Sequence, residues 1–255
     1  EQWRRTDRSF GALTDRLLDT GAFDAALDIG CGAGELVERL AKANPDAAIL
    51  GVDISRELVA VARTRCAELA NAHFEVADAA EWSPEEPFRP DLLISRHGVM
   101  FFADPVAAFA RLRGATRSGG RIVFSCFAAV ADNPWATLVT PAAEGASGYV
   151  PGPFAFADRD RCAAILTKAG WADATPNLVR FAYRVGEGDD PVEDAVAFLT
   201  RIGPAASRLR DAAPEDRPAL LARLRAALAA QRNGHVVDFP AAAWLWTARA
   251  TGETI

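Results

Sequence analysis

Short apolar runs alternate with helical periods through the first half of the chain. Ala25 to Ile29 reads as a buried strand, and it leads at Gly34 into a helix with Leu36, Val37, Leu40 and Ala41 on one face. Ala48 to Val52 reads as a second strand. Ser55 is placed to cap the next helix, which presents Leu58, Val59, Ala62, Cys66 and Leu69 at helical spacing. His73 to Val76 and Asp91 to Ser95 are the third and fourth strands. Val106 to Leu112 is helical, and Arg121 to Cys126 is a fifth strand after the Ser118-Gly119-Gly120 turn. Strands that keep alternating with helices predict an α/β fold with a parallel sheet.

The second half is less regular. Residues 127–157 carry Asn133-Pro134-Trp135, Gly148-Tyr149 and Pro151-Gly152-Pro153-Phe154, and read as a long ordered loop. Asp158 to Ala169 reads as a helix closed by Gly170. Residues 178–185 and 236–250 read as strands, the latter with Trp244 and Trp246 on one face and Leu245 on the other. Between them Leu220, Leu221, Leu224 and Leu228 form the stripe of a helical insertion, with Asn233-Gly234 as its stop signal. No clean linker divides the chain, so one domain over residues 1–255 is expected.

Composition narrows the class. A chain of 255 residues with 50% hydrophobic positions can bury a full core, which excludes disorder as the dominant state. No apolar run reaches the roughly 18 residues of a membrane span; the longest, Leu220 to Ala230, carries Arg223 and Arg225. The formal net charge is −6 and the basic residues are interleaved with acids, which argues against a nucleic-acid partner. Cys31, Cys66, Cys126 and Cys162 show no metal-like or redox-pair spacing, so no metal is expected and a cytoplasmic location fits. Arg4-Arg5 is followed by Asp7, Arg8 and Asp15, unlike an export signal; the opening at Glu1 suggests a trimmed leader.

The chemistry concentrates in Leu27-Asp28-Ile29-Gly30-Cys31-Gly32-Ala33-Gly34, a strand that runs through glycines into a helix. Glycines let a ligand approach the backbone, and the helix start offers free N–H groups. A dinucleotide fingerprint counted from Gly30 needs a third glycine at position 35, where Glu35 stands and would repel a pyrophosphate. The turn suits a ligand with an amino group instead, since Asp28 and the turn carbonyls accept hydrogen bonds. Asp53, about 20 residues further on at a strand end, is placed for ribose hydroxyls. Asp78, after the third strand, is placed for an adenine amino group. Together these describe a nucleoside whose third part is an amino acid.

On these residues the chain resembles the class I S-adenosylmethionine-dependent methyltransferases, of the small-molecule type that includes quinone-biosynthesis methyltransferases. The resemblance covers a core of about residues 24–126. Asp28 to Gly34 matches the family's first motif, Asp53-Ile54 its ribose-binding acid, Asp78-Ala79 its adenine site, and Ser95 to Met100, with Arg96 and His97, its fourth motif. It implies S-adenosyl-L-methionine as cofactor, held by Asp28, Gly30, Cys31, Gly32, Gly34, Asp53, Ile54, Asp78, Ala79 and Arg96. It implies a Rossmann-like sheet of seven mostly parallel strands flanked by helices, the last strand antiparallel. In that topology residues 127–157 and 186–234 form a lid over the pocket, and their aromatic content suggests a small apolar or aromatic acceptor. The Pro of the family's turn before strand five is absent from Leu112 to Gly120.

Of the three histidines, His73 starts a strand, at the edge away from the ligand. His97 follows strand four at the ligand edge and is the candidate general base or substrate contact, with His235 second. Three other readings stand beside this one: a dehydrogenase, which Glu35 disfavours; an RNA or protein methyltransferase, which lacks its Asn/Asp-Pro-Pro-aromatic signature here; and a non-catalytic binder of adenosylmethionine.

Overall fold

The computed structural model describes residues 2–139 and 148–251. In chain order the elements are α1 (Gln2–Leu17), β1 (Ala25–Ile29), α2 (Glu35–Ala43), β2 (Ala48–Asp53), α3 (Arg56–Arg65), β3 (Ala72–Val76), β4 (Leu92–Arg96), α4 (Pro105–Ala115) and β5 (Arg121–Phe127). They continue with α5 (Arg159–Lys168), β6 (Trp171–Glu187), α6 (Pro191–Leu199), α7 (Pro204–Asp211), α8 (Arg217–Ala230), β7 (Arg232–Asn233) and β8 (Val236–Ala250). Side-chain caps fix several helix starts. Ser55 Oγ accepts from Leu58 N at 3.2 Å, Asp104 Oδ1 from Ala107 N at 3.0 Å, and Asp158 Oδ1 from Asp160 N at 3.0 Å.

The strand order is β3-β2-β1-β4-β5-β8-β6, with the short β7 paired to β8. From β3 to β5 every neighbouring pair is parallel, and β8 runs antiparallel to β5. This is the Rossmann-like α/β architecture. Two elements differ from the sequence expectation. β6 begins at Trp171 rather than near 178, because Pro176, which reads as a breaker, is tolerated on the edge strand of the sheet. Asn233-Gly234 stops no helix but turns a hairpin between β7 and β8, with Gly234 at φ +59°.

The chain forms two compact units. One takes the segments from Thr14 to Phe127, from Val150 to Leu178 and from Ala243 onward. Its inner strands β1, β4 and β5 are buried on both faces, while β3, at the edge, is only half-buried. On one face Leu36, Val37 and Leu40 of α2 pack with Ala26, Ile49, Leu92 and Ile94. The other holds an aromatic set: Phe109 lies 5.5 Å from Phe124, which stacks on Trp246 at 6.3 Å. Each fully buried large side chain of this kind contributes about 1.5–3 kcal/mol.

The other unit takes the segments up to Leu13, from Ala128 to Tyr149 and from Val179 to Ala242. Within residues 127–139 it contains two short 3-10 turns, Val130–Asp132 and Pro134–Thr137; residues 140–147 of the expected loop lie outside the described residues. Asn133 is fully buried here, its amide N reaching the carbonyls of Ala129 and Ala242 at 3.0 Å each. Its Oδ1 accepts from Ala242 N at 3.1 Å and Trp135 Nε1 at 3.2 Å. Asp194 of α6 accepts from Arg5 at 2.7 Å and Arg8 at 2.8 Å. Leu224 and Leu228 are the buried part of the α8 stripe. Among the described residues no helix is long and apolar enough to cross a membrane.

Candidate functional site

A parallel sheet brings the carboxyl ends of its strands to one edge, where ligands bind in open α/β folds. At the end of β1 the chain turns through Gly30, Gly32 and Gly34 at φ +70°, +53° and +81°. Gly34 is required twice over: a Cβ there would lie 2.9 Å from Ala62 Cβ and 3.1 Å from the Phe74 ring. After β4, a Cβ on Gly98 would lie 2.4 Å from the Ile29 carbonyl oxygen, so this residue lets the β4 loop lie against the β1 turn. Ser95 Oγ donates to that same carbonyl at 2.7 Å and accepts from Gly98 N at 3.2 Å.

Between these turns opens a cavity of about 390 Å³. Seven of the residues singled out from the sequence line it: Gly30, Asp53, Ile54, Asp78, Ala79, Arg96 and His97. Asp28, in β1, and Cys31, Gly32 and Gly34, in the turn after it, adjoin the cavity and are not in its lining. Asp53 Oδ2 accepts from Gly32 N at 2.9 Å and Oδ1 from Ser55 N at 2.8 Å. Each of these oxygens keeps a second lone pair for a ligand. Asp78 is exposed, and its Oδ1 accepts from Ala80 N at 2.9 Å. Ile54 and Phe101 stand 74% and 60% exposed. Both line the cavity, so a ligand there would cover apolar surface that is otherwise wet.

The charges behind the lining are unusual. Asp28 is 1% exposed, and neither of its oxygens has a hydrogen-bond partner among the described residues. Burial pushes its carboxyl up to about 8, with Arg96 opposing and Asp53 and Glu35 adding to the rise. Glu35, at the start of α2, is ion-paired to Arg96, and Arg39 approaches it at 3.8 Å. Arg96 also donates to Thr14 Oγ1 at 2.9 Å. The sequence marks Glu35 only as the residue that denies a third glycine; its pairing with Arg96 and Thr14 has no local signal. The Cys31 thiol, raised by burial and by Asp28, is no nucleophile at neutral pH.

His97 has a φ of +63°, a conformation that side chains rarely adopt. Its N–H donates to the Ser125 carbonyl at 3.1 Å, and its Nδ1 lies 2.9 Å from Ser125 Oγ. The ring sits edge-on to Phe127 at 4.2 Å. Burial, with Arg96 nearby, lowers its pKa to about 3, and Nε2 is buried too. This environment runs against the general-base role expected from the sequence. An imidazole that takes up a proton only below about pH 3 is a poor acceptor near neutrality, where matched pKa values serve best. His97 lines the cavity, held in place by Ser125 and Phe127. His235 belongs to the other unit, is exposed, and has Nδ1 3.2 Å from the Gly188 carbonyl oxygen. Ser125, which holds His97, was not singled out from the sequence; only the register that sets it opposite Arg96 reveals it.

Residues 23–170 match the model of a family described as a methyltransferase domain. The chain belongs to that family. Its sheet order is that of the class I, Rossmann-like methyltransferases. A stretch of 146 residues is 32% identical to trans-aconitate 2-methyltransferase of Methylobacterium radiotolerans, covering 52% of this chain and 54% of that protein. Another is 33% identical over 102 residues to ubiquinone biosynthesis O-methyltransferase of Methylococcus capsulatus, covering 39% and 42%. The chain thus spans about half the length of these curated relatives. In three dimensions it resembles the YcgJ protein from Bacillus subtilis, with a TM-score of 0.55 at 18% identity over 96% of this chain and 99% of the other. It also resembles a Haemonchus contortus phosphoethanolamine N-methyltransferase in complex with S-adenosylhomocysteine, with a TM-score of 0.54 at 16% identity over 96% and 53%. At these identities the likeness shows the fold alone.

Proposed function

We propose that the protein transfers the methyl group of S-adenosyl-L-methionine to a small acceptor of apolar or aromatic character. The observation that carries this reading is Asp53: a carboxylate at the end of β2, in the cavity, steadied by two backbone N–H groups with lone pairs to spare. Such a group suits a pair of ribose hydroxyls. In this reading Asp78, Ala79 and Ile54 receive the adenine, while Asp28, Arg96 and the turn from Gly30 to Gly34, with Cys31 and Gly32, receive the amino-acid end. The orphaned Asp28 carboxylate fits an ammonium group and would not fit a phosphate.

The cofactor, when bound, supplies a methyl group on a cationic sulfur that is already a strong electrophile. The residues of this chain then have to orient an acceptor and keep water out, for which alignment supplies on the order of 7–11 kcal/mol. Neutral His97 and exposed Phe101 give the acceptor an apolar wall. An acceptor that is already ionised needs no proton removed. That suits a cavity whose histidine stays neutral, and the relative named for trans-aconitate carries a carboxylic acid in its name.

Calorimetry with S-adenosylhomocysteine tests the cofactor, and transfer of a labelled methyl group to a panel of small phenols, amines and carboxylic acids tests the acceptor. One ligand per chain and a labelled small product are expected. Binding without any product would favour a non-catalytic binder, and no binding would overturn the reading.

A further inference from the structure

Asp28 is a buried acid whose carboxyl oxygens have no hydrogen-bond partner among the described residues. It stands one residue before the end of β1, and the turn that follows spends its donors elsewhere. Gly30 N and Cys31 N go to the Val52 carbonyl at 2.9 and 3.0 Å, Gly34 N to the Cys31 carbonyl at 2.9 Å, and Gly32 N to Asp53 at 2.9 Å. Asp28 is therefore not the clamp that holds the turn. The titratable and charged groups facing it are Arg96 from the end of β4, Asp53 from the end of β2, Glu35 from the start of α2, and the Cys31 thiol from its own turn. Arg96 is itself shared with Glu35 and with Thr14 of α1. Three carboxylates, Asp28, Asp53 and Glu35, share Arg96, and the second guanidinium, Arg39, reaches only Glu35, which leaves the corner around Asp28 short of positive charge. An ionised, unsolvated carboxylate is not sustained in such a place without a cation; it takes a proton instead.

We propose that Asp28 keeps its proton in the free protein and releases it to solvent when the ammonium group of an adenosyl amino acid docks beside it. This rests on the cofactor reading above and adds to it a coupling between ligand binding and proton release. In the step the O–H bond of Asp28 breaks, the proton goes to the buffer, and the carboxylate takes an ammonium N–H as its donor. No covalent bond to the ligand forms and nothing is oxidised. With the free carboxyl held at about 8, the group is mostly protonated at neutral pH.

The test is calorimetry of S-adenosylhomocysteine at pH 7 in phosphate and in Tris, whose ionisation enthalpies differ. About 0.9 proton released per ligand is expected from a group that titrates near 8, and affinity should tighten about ninefold from pH 6 to pH 7. 5′-Methylthioadenosine, which lacks the amino-acid end, should bind without release and with a flat pH profile. Asp28→Asn should still bind S-adenosylhomocysteine, but with no proton released. Binding of S-adenosylhomocysteine without release, equal release by the two ligands, or release that survives in Asp28→Asn would each overturn the proposal. If the variant does not fold, the comparison of two ligands on the unaltered protein still decides. If neither ligand binds, the cofactor reading itself fails and takes the proposal with it.

Discussion

Replacing Asp53 with alanine removes two contacts that the structure shows and two that the cofactor reading adds. The first pair, Gly32 N at 2.9 Å and Ser55 N at 2.8 Å, ties the glycine turn to the end of β2. Hydrogen bonds to a charged group contribute about 1.5–3 kcal/mol each, but water replaces part of that at a half-exposed site, so a stability loss of about 1–3 kcal/mol is expected. In a chain of this size each kcal/mol lowers the melting temperature by about 2–4 °C, leaving the variant folded at room temperature. The second pair, to the ribose hydroxyls, is worth about 3–6 kcal/mol together, which weakens S-adenosylhomocysteine by about two to four decades. Calorimetry at 25 °C measures the affinity, and a thermal scan of the ligand-free variant measures the stability separately. A folded variant of lower melting temperature and unchanged affinity would refute the ribose assignment and leave Asp53 as a turn clamp only.

Two further outcomes follow from side chains with defined partners. Asn133→Ala strands the carbonyls of Ala129 and Ala242 and the donors Ala242 N and Trp135 Nε1; at about 1–3 kcal/mol for each of these buried groups left unpaired, a loss of at least about 4 kcal/mol in denaturant unfolding is expected, and a loss under about 1 kcal/mol would show that water re-satisfies the site. His97 has a folded pKa of about 3, below its ordinary 6.5, so the stability it contributes is present above pH 6.5 and lost as pH falls toward 3. His97→Asn, which tolerates the same positive φ, should remove up to about 1.4 kcal/mol of acid lability per pH unit in that window. It should also lower turnover less than about tenfold, since a general base would be worth roughly 10²–10⁴-fold; a drop in that larger range, with cofactor affinity intact, would restore the base role.

The strands β1, β2, β4 and β5 were legible because inner parallel strands are short, mainly apolar runs, β3 because its residues alternate as in an edge strand, and their helices carry a clear period. β4, expected at 91–95, is found at Leu92–Arg96, and β5, expected at 121–126, at Arg121–Phe127. β6 was not legible in full, because Asp173, Thr175, Pro176 and Asn177 have the composition of a turn. An edge strand accepts them, since part of its backbone needs no partner. The cavity residues Asp53, Ile54, Asp78 and Ala79 were legible because each ends a strand or stands within three residues of its end, so local order places it at the ligand edge. What local order does not carry is the pairing of Arg96 with Glu35, 61 residues away, or of His97 with Ser125, 28 residues away. The second follows from sheet register, which sets Ser125 beside the end of β4, and the first from the packing of α2 on the sheet.

Glu35 shows how the same turn can admit one nucleotide class and refuse another. A glycine at its position would open the helix start to a pyrophosphate, as dinucleotide-binding turns do. Here the first residue of α2 is a buried carboxylate, held by Arg96 and Arg39, and together with Asp53 it raises the proton affinity of Asp28. Two like charges about 5–6 Å apart repel by about 3 kcal/mol at an effective dielectric of 20, so a pyrophosphate set among three acids meets several such terms. Arg96 does not offset them, because it is already committed to Glu35 and Thr14. A ligand that ends in an ammonium reverses the sign of each term. In the cofactor reading the discrimination comes as much from what the carboxylates repel as from what they bind, and the proposed protonated Asp28 is what it costs the free protein.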